Sequence, residues 1–141
     1  MELKITDDQK YYNQCLEIRK EVFVEEQNVP LEMEVDEYEK ESVNILLTLD
    51  DRPIGTVRYR DIGDGLIKVE RMAVREIVRG LHLGQALMNF VHIHAEENGF
   101  TRAKLGAQVH AIKFYEKLGY EVSSDEFDDA GIPHRYMEKE L

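Results

Sequence analysis

The sequence predicts an α+β fold in α/β/α layers, with a mixed, mostly antiparallel sheet and helices on both faces. Three observations lead to this fold class. Short segments of alternating apolar residues follow one another across turns, as in an antiparallel meander. Two segments with helical periodicity end at glycine. One of these helices connects two strands, and such a strand–helix–strand crossover makes the two strands parallel.

The N-terminal part predicts one strand and one helix. The segment "ELKI" is a short first strand, and Thr6 followed by Gln9 resembles a capping box that opens a helix. That helix carries apolar residues along one broad face and is predicted to end near Gln27. Residues 28–41 are predicted to form a loop with one helical turn.

Three strands then form the predicted meander. The first, "SVNILLTLD", alternates apolar residues on one face, as a half-buried strand does. These residues are Val43, Ile45, Leu47 and Leu49. Turns at residues 50–53 and 63–65 connect this strand to "IGTVRYRDI" and then to "LIKVERMAV".

The second half of the chain adds the crossover and the closing strands. A helix over residues 81–97 ends at Gly99, with Phe100 placed for a Schellman contact. The residues expected to be buried by this helix are Leu83, Ala86, Leu87, Phe90 and Ile93. "TRAKLGAQV" follows as the parallel strand, and a shorter helix, "AIKFYEKL", ends at Gly119. "YEVSS" and "HRYMEKEL" close the sheet and are separated by an acidic loop.

Composition excludes several classes of function. The net charge of −11 argues against nucleic-acid binding, because contacts to phosphates need a basic face. No apolar run reaches the roughly 18 residues that span a bilayer, and no signal segment opens the chain. We therefore expect one cytoplasmic domain over residues 1–141 without a membrane partner. Cys15 is the one cysteine, which excludes an internal disulfide and fits a small core residue.

The segment "RGLHLG" stands where an apolar strand ends and a long helix begins. The first amides of a helix are unpaired and carry partial positive charge, and glycine lets a ligand approach the backbone closely. Gly80 and Gly84 flank this helix start, and Arg79 adds a cation. Together they indicate an anion cradle suited to a pyrophosphate, and glycines that only turn the chain are the alternative. The segment fits neither a Walker loop nor a dinucleotide fingerprint.

Two segments resemble signatures of the GNAT superfamily of acyl-CoA-dependent N-acyltransferases. The stretch from Arg79 to Gly84 is similar to the cradle pattern (R/Q)-x-x-G-x-(G/A), with His82 at the position that glycine usually holds. "AIKFYEKLGY" is similar to a second signature that follows in the right order. "VFVEEQNVP" and "DAGIPH" further resemble a subgroup of small stand-alone bacterial acetyltransferases.

This resemblance implies a GNAT-like fold with acetyl-CoA as co-substrate and an amine, either a small molecule or part of a protein, as acceptor. In that family the pantetheine arm of coenzyme A lies between two parallel strands that splay apart, and its pyrophosphate lies on the cradle. The cofactor-binding residues that the resemblance implies here are Met72, Ala73, Val74, Arg79, Gly80, Leu81, His82, Leu83, Gly84, Gln85, Gln108 and Phe114.

The resemblance also implies an acid, and the chemistry requires a base. Tyr115 matches the family tyrosine that protonates the departing thiolate, and a core tyrosine is the alternative for this position taken alone. A base is needed because only a neutral amine attacks the thioester. Glu70 is the first candidate, since it stands two residues before Met72 on one strand and should share its face. A carboxylate paired with an arginine is the alternative, and His110 and His134 are further candidates.

The remaining expectations concern the acceptor, the metal and the partners. The acceptor should contact residues 25–36 and 125–134, and because both segments are acidic a cationic amine is favoured. A catalytically silent CoA-binding or regulatory domain is the alternative function. No metal site is expected, since His92 and His94 stand two apart on a helix and point to different faces. Exposed edge strands near the C-terminus would allow a homodimer.

Overall fold

A computed structural model describes residues 1–6, 8–29 and 38–141. Within these ranges the chain forms strands β1–β8 and helices α1–α3. Their bounds are β1 Glu2–Ile5, α1 Gln9–Arg19, β2 Val43–Leu49, β3 Arg52–Asp61, β4 Leu66–Val74, α2 Leu83–Glu97, β5 Arg102–Gln108, α3 Ile112–Lys117, β6 Glu121–Val122, β7 Phe127–Asp129 and β8 Ile132–Glu140. A π-helical segment, Lys20–Glu26, continues α1, and 3₁₀ turns occupy Glu39–Glu41, Glu76–Val78 and Val109–Ala111.

The strands form one mixed sheet in the order β1-β2-β3-β4-β5-β8-β6, with β7 also paired to β8. The pair β4–β5 is parallel, and the other pairs are antiparallel. The predicted meander of β2, β3 and β4 and the predicted parallel crossover through α2 are confirmed. The long return that inserts β8 between β5 and β6 is a non-local pairing that the periodicity of single strands does not reveal.

Helices cover both faces of the sheet, as predicted. On one face α1 and its continuation bury Cys15, Ile18 and Val22 against the sheet. On the other face α2 packs Leu87 and Val91 into the larger core. This arrangement buries β2 on both of its faces, so the prediction of a half-buried strand is wrong. The second face of β2 is covered because α1 lies on it.

The start of α1 differs from the prediction. Asp8 is the N-cap residue, and its carboxylate accepts a hydrogen bond of 2.7 Å from the backbone N–H of Lys10. The predicted capping box of Thr6 and Gln9 is therefore wrong. A carboxylate at this position satisfies one of the unpaired amides of the first turn, as the hydroxyl of Thr6 would have done two residues earlier.

The end of α2 is the predicted Schellman motif. The N–H of Phe100 donates to the carbonyl of Ala95, and the N–H of Gly99 donates to the carbonyl of Glu96, both at 3.1 Å. Gly99 has a φ of +90°, which is the reason for glycine there. The side chain of Ile93 is 58% exposed, so its predicted burial is wrong.

The buried stripe of α2 follows a spacing of four residues. Its members include Leu83, Leu87, Val91 and Ala95. None of the helices in the described ranges combines the length and apolarity needed to cross a membrane.

The acidic loop predicted near the C-terminus contains an additional strand. β7 pairs with β8 across a turn in which Ala130 and Gly131 both have positive φ. The pairing places Phe127 opposite His134. This short strand was not predicted because its acidic residues show no apolar alternation.

The end of β5 also differs from the prediction. Val109, predicted as the last residue of that strand, begins a 3₁₀ turn.

Candidate active site

β4 and β5 separate partway along their length. Their parallel pairing runs from Leu66 opposite Arg102 to Val69 opposite Leu105. Beyond this point residues 70–74 and 106–108 continue as strands without pairing to each other. The two diverging ends form walls of a cleft of about 660 Å³. A concave space of this size at the C-terminal ends of parallel strands is suited to a small ligand or cofactor.

Most of the predicted site residues line this cleft. They are Glu70, Met72, Ala73, Val74, Arg79, Gly80, His82, Leu83, Gly84, Gln108, Phe114 and Tyr115. Leu81 and Gln85 do not line it and are exposed beside the first turn of α2. Of the two predicted acceptor segments, residues 30–36 lie outside the described residues. The segment 125–134 contributes Phe127, Asp129, Ala130, Ile132 and His134 to the wall of the cleft.

A bulge in β4 changes which side chains face each wall. The pairs Thr56–Ala73 and Arg58–Glu70 leave one additional residue in β4, and Arg71 adopts a φ of +55°. Met72 therefore packs against the core beneath α2, whereas Glu70 meets Arg58. The expectation that Glu70 and Met72 share a face is wrong, because the bulge interrupts the alternation on which it was based.

The N-terminus of α2 borders the cleft. The first helical hydrogen bond runs from the N–H of Ala86 to the carbonyl of His82, so the amides of residues 83–85 have no helical acceptor. Gly80 has a φ of +92°, and His82 has a φ of +59°. Position 82 thus keeps the left-handed conformation that glycine adopts most easily, although the residue is histidine.

Arg79 is fixed beside this helix start. Its Nε donates to the carbonyl of Val74 at 2.9 Å, and its guanidinium binds the Glu26 carboxylate at 2.8 Å. These contacts tie the cradle to the end of β4 and to the segment that continues α1. The predicted cation is present, and a carboxylate partly neutralises it.

Gly84 allows close packing between α2 and α3. A Cβ atom at this position would lie 3.3 Å from Cζ of Phe114 and 3.7 Å from Cε of Met72. The first of these distances is shorter than ordinary carbon–carbon contact. Glycine at position 84 therefore keeps the first turn of α2 against the ring of Phe114 and the side chain of Met72.

Tyr115 follows on α3 with its ring packed edge-on between two other aromatic rings. The ring centroids of Phe114 and Tyr120 lie 5.0 and 5.9 Å from its own. Burial raises the pKa of Tyr115 to about 12. Its side chain lines the cleft, and no residue in the described ranges hydrogen-bonds the hydroxyl. The hydroxyl is thus protonated at neutral pH and available to a group in the cleft.

A buried hydrogen bond lies behind Tyr115. Nε2 of His92 and the hydroxyl of Tyr120 are 2.7 Å apart, and both side chains are buried. Burial, together with the charge of Lys139, lowers the pKa of His92 to about 4. The sequence predictions treat His92 only in arguing against a metal site and do not include this pairing, although its position among the apolar residues of α2 indicates burial.

Glu70 lies among cations. Its carboxylate accepts hydrogen bonds from Arg60 at 2.7 Å and from Arg58 at 3.2 Å, and Lys68 lies 3.6 Å away. Burial by itself raises the pKa of Glu70, but the bond from Arg60 and the charges of Arg58 and Lys68 bring it below the ordinary value. The carboxylate is therefore a weak proton acceptor. The structure shows the arginine-paired arrangement that was the alternative for this residue.

A second ionic cluster lies deeper on the same face. The guanidinium groups of Arg19 and Arg58, both fully buried, bind the carboxylate of Glu39. The hydroxyl of Tyr12 donates to the same carboxylate at 2.8 Å. These contacts join α1, β3 and the Glu39–Glu41 turn beneath the cleft. No sequence motif predicts this cluster, because its members are far apart along the chain.

Gln108 links β5 to the segment that follows α1. Its Nε2 donates to Oε1 of Gln27 at 2.9 Å, and Nε2 of His110 lies 2.6 Å from its Oε1. An amide oxygen only accepts, so His110 donates in this pair. Gln27 belongs to the "VFVEEQNVP" segment, and its bond to Gln108 brings that motif to the cleft.

The histidines of α2 serve separate contacts, as predicted. Nδ1 of His94 pairs with the hydroxyl of Tyr59, whereas His92 bonds Tyr120. Across residues 1–6, 8–29 and 38–141, no group of three histidine, cysteine, aspartate or glutamate side chains could hold a metal ion.

Comparison with known proteins identifies relatives across nearly the whole chain. Residues 5–141 match the family described as an acetyltransferase (GNAT) domain. The sequence is also 40% identical over 141 residues to the uncharacterized N-acetyltransferase YjcF of Bacillus subtilis, a match that covers 99% of this chain and 100% of that protein.

Two crystal structures have the same fold. A protein from Lactobacillus plantarum superposes with a TM-score of 0.93 at 27% identity, over 99% of this chain and 97% of that one. An acyl-CoA N-acyltransferase from Pseudomonas aeruginosa superposes with a TM-score of 0.86 at 26% identity, over 98% of this chain and 97% of that one.

Proposed function

The chain belongs to the GNAT family of acetyltransferases, and on that premise we propose that it transfers an acetyl group from acetyl-CoA to a primary amine. The observation that carries this proposal is the separation of β4 from β5 beyond Val69 and Leu105, directly beside the N-terminus of α2. The Pseudomonas aeruginosa relative is named for an acyl-CoA donor, which supports the same class of donor here.

The helix start would bind the most highly charged part of the donor. The free amides of residues 83–85 and the helix dipole favour an anion such as a pyrophosphate, and Arg79 adds positive charge at its edge. This local site matters because the chain as a whole carries a net charge of −11 and would repel an anionic donor. The pantetheine arm would then follow the backbone of residues 72–74 into the gap.

The transfer itself requires one bond to form and one to break. The amine nitrogen attacks the thioester carbon, and the carbon–sulfur bond breaks as the amide forms. Tyr115 would give its hydroxyl proton to the departing sulfur, a role supported by its place in the cleft and by its raised pKa. Backbone N–H groups of the unpaired part of β4 would stabilise the negative charge that develops on the carbonyl oxygen.

The acceptor would enter on the side of the cleft that faces α1. There β7 contributes Asp129 and Phe127, and the segment after α1 contributes Gln27. A carboxylate and an aromatic face both attract an ammonium group, which supports a cationic amine as acceptor.

An acetylation assay with a panel of amines tests this function. The purified protein is incubated with acetyl-CoA and each amine, and both free thiol and acetylated amine are measured. We expect thiol release that depends on the amine and equals the acetylated product. Tight binding of coenzyme A with no acetylated product from any amine would instead favour the catalytically silent CoA-binding domain.

A further inference from the structure

His134 lies where β8 meets the diverging end of β5. In the antiparallel register it stands directly opposite Gln108, and directly opposed side chains point to the same face of a sheet. Gln108 contacts Gln27, at the end of the segment that continues α1. Met137, three residues further along β8, belongs to the core beneath α2. The imidazole of His134 therefore points to the face covered by α1, where it lines the cleft with an exposed fraction of 9%.

The hydrogen bonding of His134 defines its protonation pattern. Nδ1 lies 2.7 Å from the carbonyl oxygen of Ile132, which can only accept, so Nδ1 carries the hydrogen. In the neutral imidazole Nε2 then carries the lone pair. Phe127 stacks on the ring at a centroid distance of 5.9 Å and an angle of 27°, which restricts its rotation. Within the described part of the chain no group bonds Nε2.

The other two candidate bases, Glu70 and His110, lie in less suitable surroundings. Glu70 accepts hydrogen bonds from Arg60 and Arg58 and lies beside Lys68. These three cations stabilise its carboxylate and make it a weak proton acceptor. His110 is exposed and is held by Gln108 through Nε2. Of these candidates, His134 alone combines a buried ring, a fixed tautomer and an open nitrogen in the cleft.

We propose that His134 is the general base of the transfer, a role that rests on the function proposed above. Its Nε2 takes a proton from the ammonium form of the acceptor, and the neutral amine nitrogen then attacks the thioester carbon. Tyr115, whose ring packs against the core on the α2 side, gives a proton to sulfur as the carbon–sulfur bond breaks. The proton that the nitrogen loses as the amide forms passes through solvent to the phenolate, and the imidazolium releases its proton to solvent, so both groups return to their starting states.

The variant that tests this role is His134→Asn. The amide nitrogen of asparagine can keep the hydrogen bond to the carbonyl of Ile132, while the nitrogen that would act as base is removed. His134→Gln provides a second variant if asparagine destabilises β8. His94→Asn is the matched control, because His94 lies on α2 outside the cleft.

The measurement compares two acceptors of similar shape near neutral pH, an alkyl amine with a pKa of about 10.4 and an α-amine with a pKa of about 8. The second amine is partly neutral already and depends less on a base. We expect His134→Asn to lower kcat/KM at least about 100-fold for the alkyl amine and less than about 10-fold for the α-amine. The affinity for coenzyme A should stay within about 3-fold, as should every parameter of His94→Asn.

Two results would overturn the assignment. Equal losses on both amines would mean that His134 supports the structure of the site, and full activity of both His134 variants would mean that another group takes the proton. The two amines are therefore chosen from those that the wild type acetylates in the panel above, and a wild type that acetylates no amine of that panel would overturn the proposed function, and this role with it. The activity of the wild type thus tests the proposed function, and the activity of the His134 variants tests the role of His134.

Discussion

Glu70 and Met72 stand two residues apart on β4 and lie on opposite faces of the sheet. The bulge at Arg71, with its φ of +55°, separates them. Met72 borders the side of the cleft beneath α2, where Tyr115 packs, and Glu70 borders the side toward α1, which His134 also faces. The diverging strands thus divide the cleft into a side for the proposed leaving thiol and a side for the proposed amine.

Tyr115→Phe should lower kcat by about 100-fold while leaving the affinity for coenzyme A within about 3-fold. The substitution removes the proton donor and keeps the ring that packs on Phe114 and Tyr120. Steady-state kinetics and calorimetric titration measure the two quantities. Tyr11→Phe, on α1 outside the cleft, is the control. Unchanged turnover in Tyr115→Phe would exclude the hydroxyl as the acid.

His92→Gln should remove a pH-dependent part of the stability. Because burial lowers the pKa of His92 to about 4, the unfolded chain binds a proton more readily than the folded one as pH falls from about 6.5 to 4. The wild type should therefore lose about 2 kcal/mol relative to His92→Gln over this range, less than the full shift because solvent reaches part of the ring. Urea unfolding of both proteins at several pH values measures the difference. A difference that stays constant with pH would contradict this account of His92.

His82→Gly should stabilise the free protein by about 0.5–1 kcal/mol. A side chain at a φ of +59° is strained by about 1–2 kcal/mol, and the greater freedom of glycine in the unfolded chain offsets part of the relief. His82→Ala is the matched control, since it removes the imidazole and keeps the strain. Equal midpoints of urea unfolding for the two variants would show that the left-handed backbone conformation at position 82 does not lower the stability of the wild type.

Gly84→Ala and Gly84→Val should weaken coenzyme A binding in proportion to the size of the added side chain. A Cβ atom at 3.3 Å from Phe114 requires a small shift of that ring, and the branches of valine require a larger one. We expect a loss of affinity of a few-fold for alanine and at least about 10-fold for valine, with valine also lowering stability by about 1–3 kcal/mol. Valine with wild-type affinity would show that the cradle does not depend on this close packing.

Glu39→Gln should destabilise the fold by about 3 kcal/mol. The substitution removes the charge that Arg19 and Arg58 share in a buried position. Glu41→Gln, an exposed carboxylate in the same turn, should change stability by less than about 0.5 kcal/mol. Chemical unfolding at neutral pH compares the three proteins, and equal midpoints would mean that the cluster adds little to stability.

Local signals were enough to predict the elements that carry the cradle. The Schellman glycine Gly99, the apolar stripe of α2 and the alternation of β4 and β5 each depend on neighbouring residues. The family resemblance then indicated Gly84 and Tyr115, and both line the cleft.

The features that escaped prediction depend on contacts between distant parts of the chain. The bulge at Arg71 puts an ordinary side chain in a conformation that few residues adopt, so nothing in its identity signals it. The fixed tautomer of His134 depends on a backbone carbonyl, and the burial of Leu46 depends on α1. The prediction put Glu70 on the same face of β4 as Met72, because the alternation of side chains along a strand holds only where the strand has no bulge.

Calorimetric titration of coenzyme A into the wild-type protein tests the central claim most directly. If the gap between β4 and β5 and the start of α2 form one cofactor site, the titration should show saturable binding of one molecule per chain, weakened in Gly84→Val. The absence of saturable binding to the wild type, measured at two temperatures so that a small enthalpy does not hide it, would contradict the assignment of the cleft.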